Sequence, residues 1–221
     1  MNVSEAVAAR SSVRAYLDKP VSRELIEDIL LGAARAPSGG NLQPWHVHAL
    51  TGERLAALLG EVAGSGAAGA PGYRVYPENL PEPYRTRRYE VGEQLYATIS
   101  IPREDREGRL RQLSRNAAFF GAPVGLFVLV DRLMGPPQWA DLGMFIQTLM
   151  LLAVERGLDC CAQEYWSLHS ATVETFLAVP EGRMLFCGIA LGYRDPAAPI
   201  NGFRTRRADA SEWSTLHGFA S

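Results

Sequence analysis

The sequence predicts one α+β domain in which helices and strands alternate along the chain. The 221-residue chain is long enough to bury one large core, and no Ser/Pro-rich linker divides it. Segments with helical periodicity alternate with short apolar runs of strand length, and no internal repeat is visible. We therefore expect a single domain over residues 1–221.

The amino-terminal part contains three elements that the hydrophobic pattern predicts. Ser22 can cap a helix whose apolar residues recur on one face until Pro37 stops it. The run "WHVHAL" alternates as a strand, and Thr51 then begins a helix with its leucines inward. Residues 64–115 lack such a pattern and contain Gly/Pro-rich turns followed by an arginine- and tyrosine-rich stretch. Because this stretch is too long for an ordinary connection, we interpret it as an insertion that covers another part of the molecule.

Regular elements return after the insertion. The run "PVGLFVLV" suits a buried strand, and a helix should extend from about Asp141 to Arg156, with Gly157 placed to end it. The run "LDCCAQ" is then a short strand. Ser170 can cap another helix that Pro180 ends, and "MLFCGIALGY" is a further buried strand before an irregular, basic tail.

Composition disfavours several classes of function. The net charge of -2 gives no general attraction to polyanions, so a small molecule is the expected partner, with no nucleic acid and no membrane. The first ten residues lack the apolar run of a secretory signal, and the longest charge-free stretch, residues 117–130, is too short to span a bilayer. Three cysteines without metal-binding spacing are typical of small buried residues in a reducing compartment, so a cytoplasmic location is expected.

Two motif matches lack the context that their chemistry needs. The run "GSGAAG", residues 64–69, has the spacing of a dinucleotide fingerprint, but it follows a helix instead of a strand. We interpret it as a flexible loop. His46 and His48 share one face of a strand and could supply two metal ligands, yet no third ligand stands at suitable spacing. Packing is therefore the favoured interpretation, and no metal is expected.

Two separated segments point to a phosphorylated ring as ligand. The run "RSSVRAY", residues 10–16, offers two guanidinium groups and two hydroxyls, the donor set that a phosphate monoester needs. A solvated turn would explain that run equally well if it stood alone. The run "APSGGNLQPW", residues 36–45, supplies backbone amides with little side-chain obstruction and two carboxamides. A carboxamide both donates and accepts, so it can match the mixed edge of a flavin or pyrimidine ring.

Taken together, these segments resemble the FMN-dependent nitroreductase family. The blocks "GAPVGLFVLVDR", "DLGMFIQTLMLLAVERGLDCCAQE" and "CGIALGYRDPAAPINGFRTRR" are similar to later blocks of that family in the same order. Residues 64–115 resemble the insertion, or lid, of a nitrobenzoate-reductase-like subgroup. The resemblance implies a nitroreductase-like α+β fold, with a central, mostly antiparallel sheet flanked by helices. It also implies an intertwined homodimer with FMN at the interface.

The resemblance further implies which residues hold the cofactor. Those implied for the FMN phosphate and ribityl chain are Arg10, Ser11, Ser12, Arg14 and Arg207. Those implied to reach the same FMN from the partner subunit are Ser38, Gly39, Asn41 and Gln43. Those implied near flavin N5 are Gln163 and Glu164, although Tyr165 stands where some members have glycine. No catalytic side chain is expected, because protons can come from water.

The implied activity is that of an FMN-dependent NAD(P)H oxidoreductase. It would reduce nitroaromatic or similar electron-poor small molecules by ping-pong, two-electron hydride transfer. Three arginines of the lid, Arg85, Arg87 and Arg88, suit an acidic nitroaromatic such as a nitrobenzoate, and a solvated basic loop explains them equally well. Two alternatives stay open: a related flavoenzyme with another acceptor, such as a quinone or enone reductase or a reductive dehalogenase, and a non-catalytic flavin carrier.

Overall fold

A computed structural model describes residues 1–65 and 72–219, and the strands of that part of the chain form one antiparallel sheet. The strands are β1 (His46–Thr51), β2 (Val124–Asp131), β3 (Asp159–Gln163) and β4 (Arg183–Gly192). Their order is β1-β2-β4-β3, and each neighbouring pair is antiparallel. The antiparallel sheet implied by the resemblance is therefore confirmed.

Helices cover both faces of this sheet. The helices of the described residues are α1 (Val3–Ala9), α2 (Arg23–Ala33), α3 (Gly52–Ser65), α4 (Tyr84–Thr98), α5 (Arg106–Ser114), α6 (Pro136–Glu155) and α7 (Ser170–Phe176). Helices α2 and α6 pack on one face of the sheet, and α3 and α7 pack on the other. In β2, Leu126 and Val128 belong to the core cluster of α2 and α6, whereas Phe127 and Leu129 belong to that of α3 and α7. Because successive side chains of a strand point to opposite faces, a strand covered on both sides reads as a continuous apolar run.

Several predicted elements are confirmed, and their ends follow local chemistry. The Ser22 hydroxyl accepts a hydrogen bond from the backbone N–H of Leu25 at 3.2 Å, as predicted for the start of α2. Gly157 follows α6 with a φ of 76°, in the left-handed region that favours glycine. The three cysteines are buried and unbonded, and burial raises the pKa of each thiol.

Three predicted helix boundaries are wrong. Thr51 is the last residue of β1, and α3 begins at Gly52, whose φ of 55° allows the sharp turn. Helix α6 begins at Pro136, several residues before the expected start, because proline at the first helical positions forgoes an N–H that would have no partner there. Ser170 is the first residue of α7 and not its cap, and α7 ends at Phe176, before Pro180.

The segment 64–115 contains helices that the sequence pattern did not reveal. Both α4 and α5 lie within it, and α4 has no buried residue, so it shows no apolar stripe. Gly64 and Ser65 end α3. The rest of the "GSGAAG" run lies outside the described residues.

His46 and His48 lie on β1, where burial lowers the pKa of both imidazoles and the charge of Arg183 lowers it further. Among residues 1–65 and 72–219, no group of three or more His, Cys, Asp or Glu could hold a metal ion. Within the same residues, no helix is long and apolar enough to cross a bilayer.

Candidate functional site

A cleft of about 680 Å³ lies between the amino-terminal segment, α4, α6 and the carboxy-terminal tail. Its volume is within the range of small-molecule sites. We call it the N-terminal cleft. The sequence-predicted residues that line it are Arg10, Ser11, Ser12, Arg14 and Arg207. The structure therefore brings together the whole set that the resemblance implies for a phosphate and its sugar chain.

The amino-terminal segment reaches this cleft as an extended chain beside β3. The backbone N–H of Val13 donates to the carbonyl of Cys160 at 3.2 Å, and Ser12 forms a parallel bridge with Cys160. Successive side chains therefore alternate: Val13 is buried in the core, whereas Ser12 and Arg14 are only half-buried. The period of two places Ser12 and Arg14 on the side of the cleft, whereas Ser11 has the phase of Val13 and is buried.

Buried Asn201 fixes the backbone of this segment, and half-buried Arg194 fixes one of its hydroxyls. The side-chain oxygen of Asn201 accepts from the backbone N–H of Arg14 at 2.9 Å, and its amide nitrogen donates to the carbonyl of Ala15 at 2.8 Å. Arg194 donates to the Ser11 hydroxyl at 3.0 Å, and it forms a two-pronged ion pair with Asp159 at 2.7 and 2.8 Å. The Ser11 oxygen and the Arg14 main chain are thus positioned before any ligand binds.

The tail is anchored by an arginine that sequence reasoning missed. The Arg204 guanidinium donates to the carbonyls of Ala8, Ala9 and Arg10 at 3.3, 2.9 and 3.0 Å. These carbonyls lie at the end of α1, where helical acceptors lack partners. The anchor holds the tail against α1 and brings Arg207 to the cleft.

Four guanidinium groups line the N-terminal cleft: Arg10, Arg14, Arg204 and Arg207. Among the described residues that line it, none is Asp or Glu. Gln147 of α6 adds a carboxamide, which the sequence reasoning did not single out from the apolar run around it. Such a lining attracts a dianion and can bind it through charge-assisted hydrogen bonds.

The second predicted segment, residues 38–43, does not line the N-terminal cleft of its own chain. It forms a tight turn in which Gly40 and Asn41 have φ of 58° and 57°. The Ser38 hydroxyl accepts from the backbone N–H of Gln43 at 3.0 Å, and the N–H of Gly39 donates to the buried carboxylate of Asp141 at 3.3 Å. The turn is therefore rigid, and the side chains of Asn41 and Gln43 are exposed.

The third predicted segment ends β3. Gln163 is buried, and its amide nitrogen donates to the carbonyl and side-chain oxygens of Asn116, each at 3.0 Å. Its side-chain oxygen has no hydrogen-bond partner among the described residues. Ala162, by contrast, is exposed in this otherwise buried strand. The Gln163 oxygen is a buried acceptor without a partner among the described residues, and it lies beside exposed Ala162. This arrangement fits a planar group with a hydrogen-bonding edge.

Glu164 and Tyr165 follow directly. Glu164 is exposed at the end of β3, yet desolvation by the neighbouring protein atoms raises the pKa of its carboxyl group above the ordinary 4.5. The Tyr165 ring contacts the Trp166 and His169 rings, with centroids 6.5 and 5.3 Å apart. Tyr165 therefore extends an aromatic cluster at the end of β3.

Helix α4 forms one wall of the N-terminal cleft through Val91, Gly92 and Leu95. A two-pronged ion pair joins Glu93 of α4 to Arg109 of α5 at 2.6 and 3.0 Å. The segment predicted to cover another part of the molecule thus borders the cleft through α4, and α5 is joined to α4 by this ion pair.

The three lid arginines have partners of their own. Arg85 pairs with Glu82 at 2.6 Å, Arg87 pairs with Glu212 of the tail at 2.8 Å, and the Arg88 guanidinium lies 4.1 Å from the Tyr76 ring centroid. None of the three lines the N-terminal cleft.

Comparison with known proteins gives consistent results. A model of the nitroreductase family matches residues 7–193. The chain is 40% identical over 216 residues to a 4-nitrobenzoate reductase of Pseudomonas putida, covering 96% of this chain and 94% of that relative. It is 36% identical over 221 residues to a nitrobenzene nitroreductase of Ectopseudomonas oleovorans, covering 97% and 96%.

Solved structures agree with these relatives. The FMN- and NADPH-dependent nitroreductase NfnB from Sphigopyxis sp. strain HMH superposes with a TM-score of 0.96 at 46% identity, covering 99% of this chain and all of that one. The FMN-dependent nitroreductase NfnB from Mycobacterium smegmatis, solved with NADPH, gives 0.91 at 30% identity, covering 97% and 99%.

Proposed function

Because the chain belongs to the nitroreductase family, we propose that it is an FMN-dependent NAD(P)H oxidoreductase that reduces nitroaromatic compounds. One observation carries the proposal: the N-terminal cleft joins four guanidinium groups and two serine hydroxyls without an acidic residue in its described lining. That donor set fits the phosphate and ribityl chain of FMN.

Bound FMN supplies the hydride chemistry, which takes two electrons from NADH or NADPH and delivers them to the acceptor in a second, separate step. The protein's part is to bind the flavin and to orient it. Arg10, Arg14 and Arg207 neutralise the FMN phosphate, while the Ser12 hydroxyl forms a hydrogen bond with the ribityl chain. The β3 end supplies the Gln163 oxygen and the backbone of Glu164 to the ring edge, and exposed Ala162 leaves room for the ring face.

We further propose that the site is completed by a second copy of the chain. The side chains of Asn41 and Gln43 are exposed and do not line the N-terminal cleft of their own subunit, and Gly40 and Asn41 hold the turn that bears them. Exposed Leu42 and Met144 provide apolar surface beside this turn and on α6. A homodimer with FMN at its interface uses both features. A cytoplasmic location belongs to the same proposal.

Nitroaromatic acceptors are favoured over the alternatives by similarity to proteins named for nitrobenzoate and nitrobenzene. A quinone or enone reductase would use the same cleft and the same flavin. Nitroaromatic reduction and quinone reduction are distinguished by comparing kcat/KM for 4-nitrobenzoate, nitrobenzene and a benzoquinone with one nicotinamide donor.

The decisive experiment is an absorbance spectrum of the purified protein before and after NADPH is added without oxygen. We expect a flavin spectrum that bleaches with NADPH and returns when 4-nitrobenzoate is added. A yellow protein that neither NADH nor NADPH bleaches would indicate a flavin carrier. A colourless protein that binds no added FMN would refute the assignment of the cleft.

A further inference from the structure

A second cleft, of about 490 Å³, lies between α4 and the tail and adjoins the N-terminal cleft. The two share Val91, Thr205 and Arg207 as lining residues. We call the second one the tail cleft. The polar and aromatic residues that line only the tail cleft are Arg87, Tyr89, Glu90, Glu93, Gln94 and Arg206.

Some charged side chains of the tail cleft have an ion-pair partner among the described residues, and others do not. Glu93 is paired with Arg109, and Arg87 is paired with Glu212. Arg206 has no ion-pair partner among the described residues, and Arg207 donates only to neutral oxygens of Thr205 and Arg206. Two guanidinium groups thus face the cleft without a carboxylate of their own, and Glu90 is the acidic residue left beside them.

We propose that the tail cleft binds the adenosine 2′-phosphate of NADPH and that the guanidinium of Arg206 is its principal ligand. This inference rests on the proposed function, and it adds the residue by which the enzyme distinguishes NADPH from NADH. A guanidinium matches two oxygens of a phosphate monoester at once. The Glu90 carboxylate accepts from the adjacent 3′-hydroxyl, and the exposed Tyr89 ring offers a stacking surface to adenine.

The position of the cleft favours the dinucleotide over the acceptor as its occupant. The tail cleft joins the N-terminal cleft at Arg207 and Thr205, which belong to the phosphate end of the flavin site. An acidic nitroaromatic is one ring wide, so its carboxylate stays beside the flavin ring on which it stacks. NADPH carries its 2′-phosphate at the far end of a long chain, and it can reach the phosphate end while its nicotinamide lies on the ring.

The test compares Arg206→Ala and Arg206→Lys with the wild-type holoenzyme. We expect the wild type to prefer NADPH, and we expect Arg206→Ala to lower the ratio of kcat/KM for NADPH to that for NADH about tenfold or more. Arg206→Lys restores part of the loss because it keeps the charge without the two-pronged geometry. Calorimetry supplies a readout independent of turnover: adenosine 2′,5′-bisphosphate should bind the holoenzyme more tightly than adenosine 5′-monophosphate, and Arg206→Ala should remove the difference.

Arg111→Ala is the matched control. Arg111 is exposed on α5, pairs with Glu107 at 3.4 Å and lines neither cleft, so its loss should leave the donor ratio unchanged. An unchanged ratio in an Arg206→Ala protein that retains FMN overturns the inference and leaves the proposed function intact. The inference is also overturned if Arg206→Ala lowers kcat/KM for 4-nitrobenzoate and not for nitrobenzene, because that result would assign the cleft to the acceptor. If neither nucleotide reduces the wild type, the proposed function itself fails.

Discussion

Arg14 combines a main chain fixed by buried Asn201 with a side chain that lines the N-terminal cleft. The substitution Arg14→Ala keeps the backbone hydrogen bond and removes a charge-assisted contact to the proposed phosphate. We expect the Kd for FMN to rise about tenfold to a hundredfold, as such contacts contribute about 1.5–3 kcal/mol. Fluorescence titration of the apoprotein measures this change, and the melting temperature of the apoprotein should hardly move.

Arg23→Ala is the control for that variant, because Arg23 is exposed, pairs with Glu27 on the surface of α2 and does not line the N-terminal cleft. An Arg14→Ala protein that purifies with a full complement of flavin would show that this arginine does not hold the phosphate.

Glu164 yields a prediction about pH. Desolvation raises the pKa of its carboxyl group in the folded protein above the ordinary 4.5, so the charged form is disfavoured by folding. The Glu164 carboxyl has a lower pKa in the unfolded chain than in the folded protein. As pH rises from the first value to the second, the folded protein loses stability relative to a variant without this charge. Below that window the two should not differ for this reason.

We therefore expect Glu164→Gln to melt at a higher temperature than the wild type at pH 8, with a gap that narrows as pH falls toward 4.5 and closes below it. Melting curves of the cofactor-loaded proteins across this range measure it, with Glu78→Gln as an exposed control. A gap that stays constant with pH would mean that the carboxylate carries no desolvation penalty.

At the level of residues, the sequence predicted functional groups where a rare combination of side chains is concentrated in a short run. Arg10 to Arg14 is such a run, and all its polar members line the cleft. Arg204 and Gln147 were missed for physical reasons. Arg204 acts on the carbonyls of α1, which are distant in sequence, and Gln147 stands among mostly apolar residues of α6 without a motif of its own.

Among the elements, β4 carries a close contact on which the end of β3 depends. Gly188 pairs with Gln163, and a Cβ at Gly188 would lie 2.2 Å from the fully buried ring of Trp166. Gly188→Ala must displace that ring, so we expect a loss of about 1–3 kcal/mol in the free energy of unfolding. Urea denaturation measures this loss, and FMN retention should fall with it because the strand that bears Gln163 moves.

Gly60→Ala is the opposite case. Gly60 lies within α3, and a Cβ there meets nothing within 4 Å. The substitution should raise stability by about 0.5–1 kcal/mol, since alanine favours a helix interior. Equal destabilisation by the two substitutions would argue that the Trp166 contact is not the cause.

The burial of each element explains which parts of the fold could be predicted from the sequence. Strands β2 and β4 were predicted because each is buried on both faces and reads as one apolar run. Helix α4 was not predicted because it buries no residue and is held by ion pairs and aromatic contacts, which leave no periodic apolar pattern.

For the whole molecule, the antiparallel direction of the strands followed from the family resemblance and not from the residues alone, since strand runs separated by helices are compatible with parallel and antiparallel sheets. The structure supplies the order β1-β2-β4-β3. It also separates the predicted cofactor residues into three groups: the N-terminal cleft gathers Arg10 to Arg14 with Arg207, the turn at residues 38–43 lies outside it, and Gln163 and Glu164 lie at the end of β3.

That separation leads to a test of the proposed homodimer by subunit mixing. Arg14→Ala removes a contact of the cleft, and Asn41→Gly removes a carboxamide of the turn while tolerating its φ of 57°. If each FMN is held by Arg14 of one subunit and Asn41 of the other, a dimer of one chain of each variant has one site with both defects and one with none. We expect that heterodimer, isolated through two different tags, to hold about one tightly bound FMN and to regain about half the wild-type activity. If both groups belonged to one subunit, every site would carry one defect, and the mixed dimer would be as poor as either variant alone.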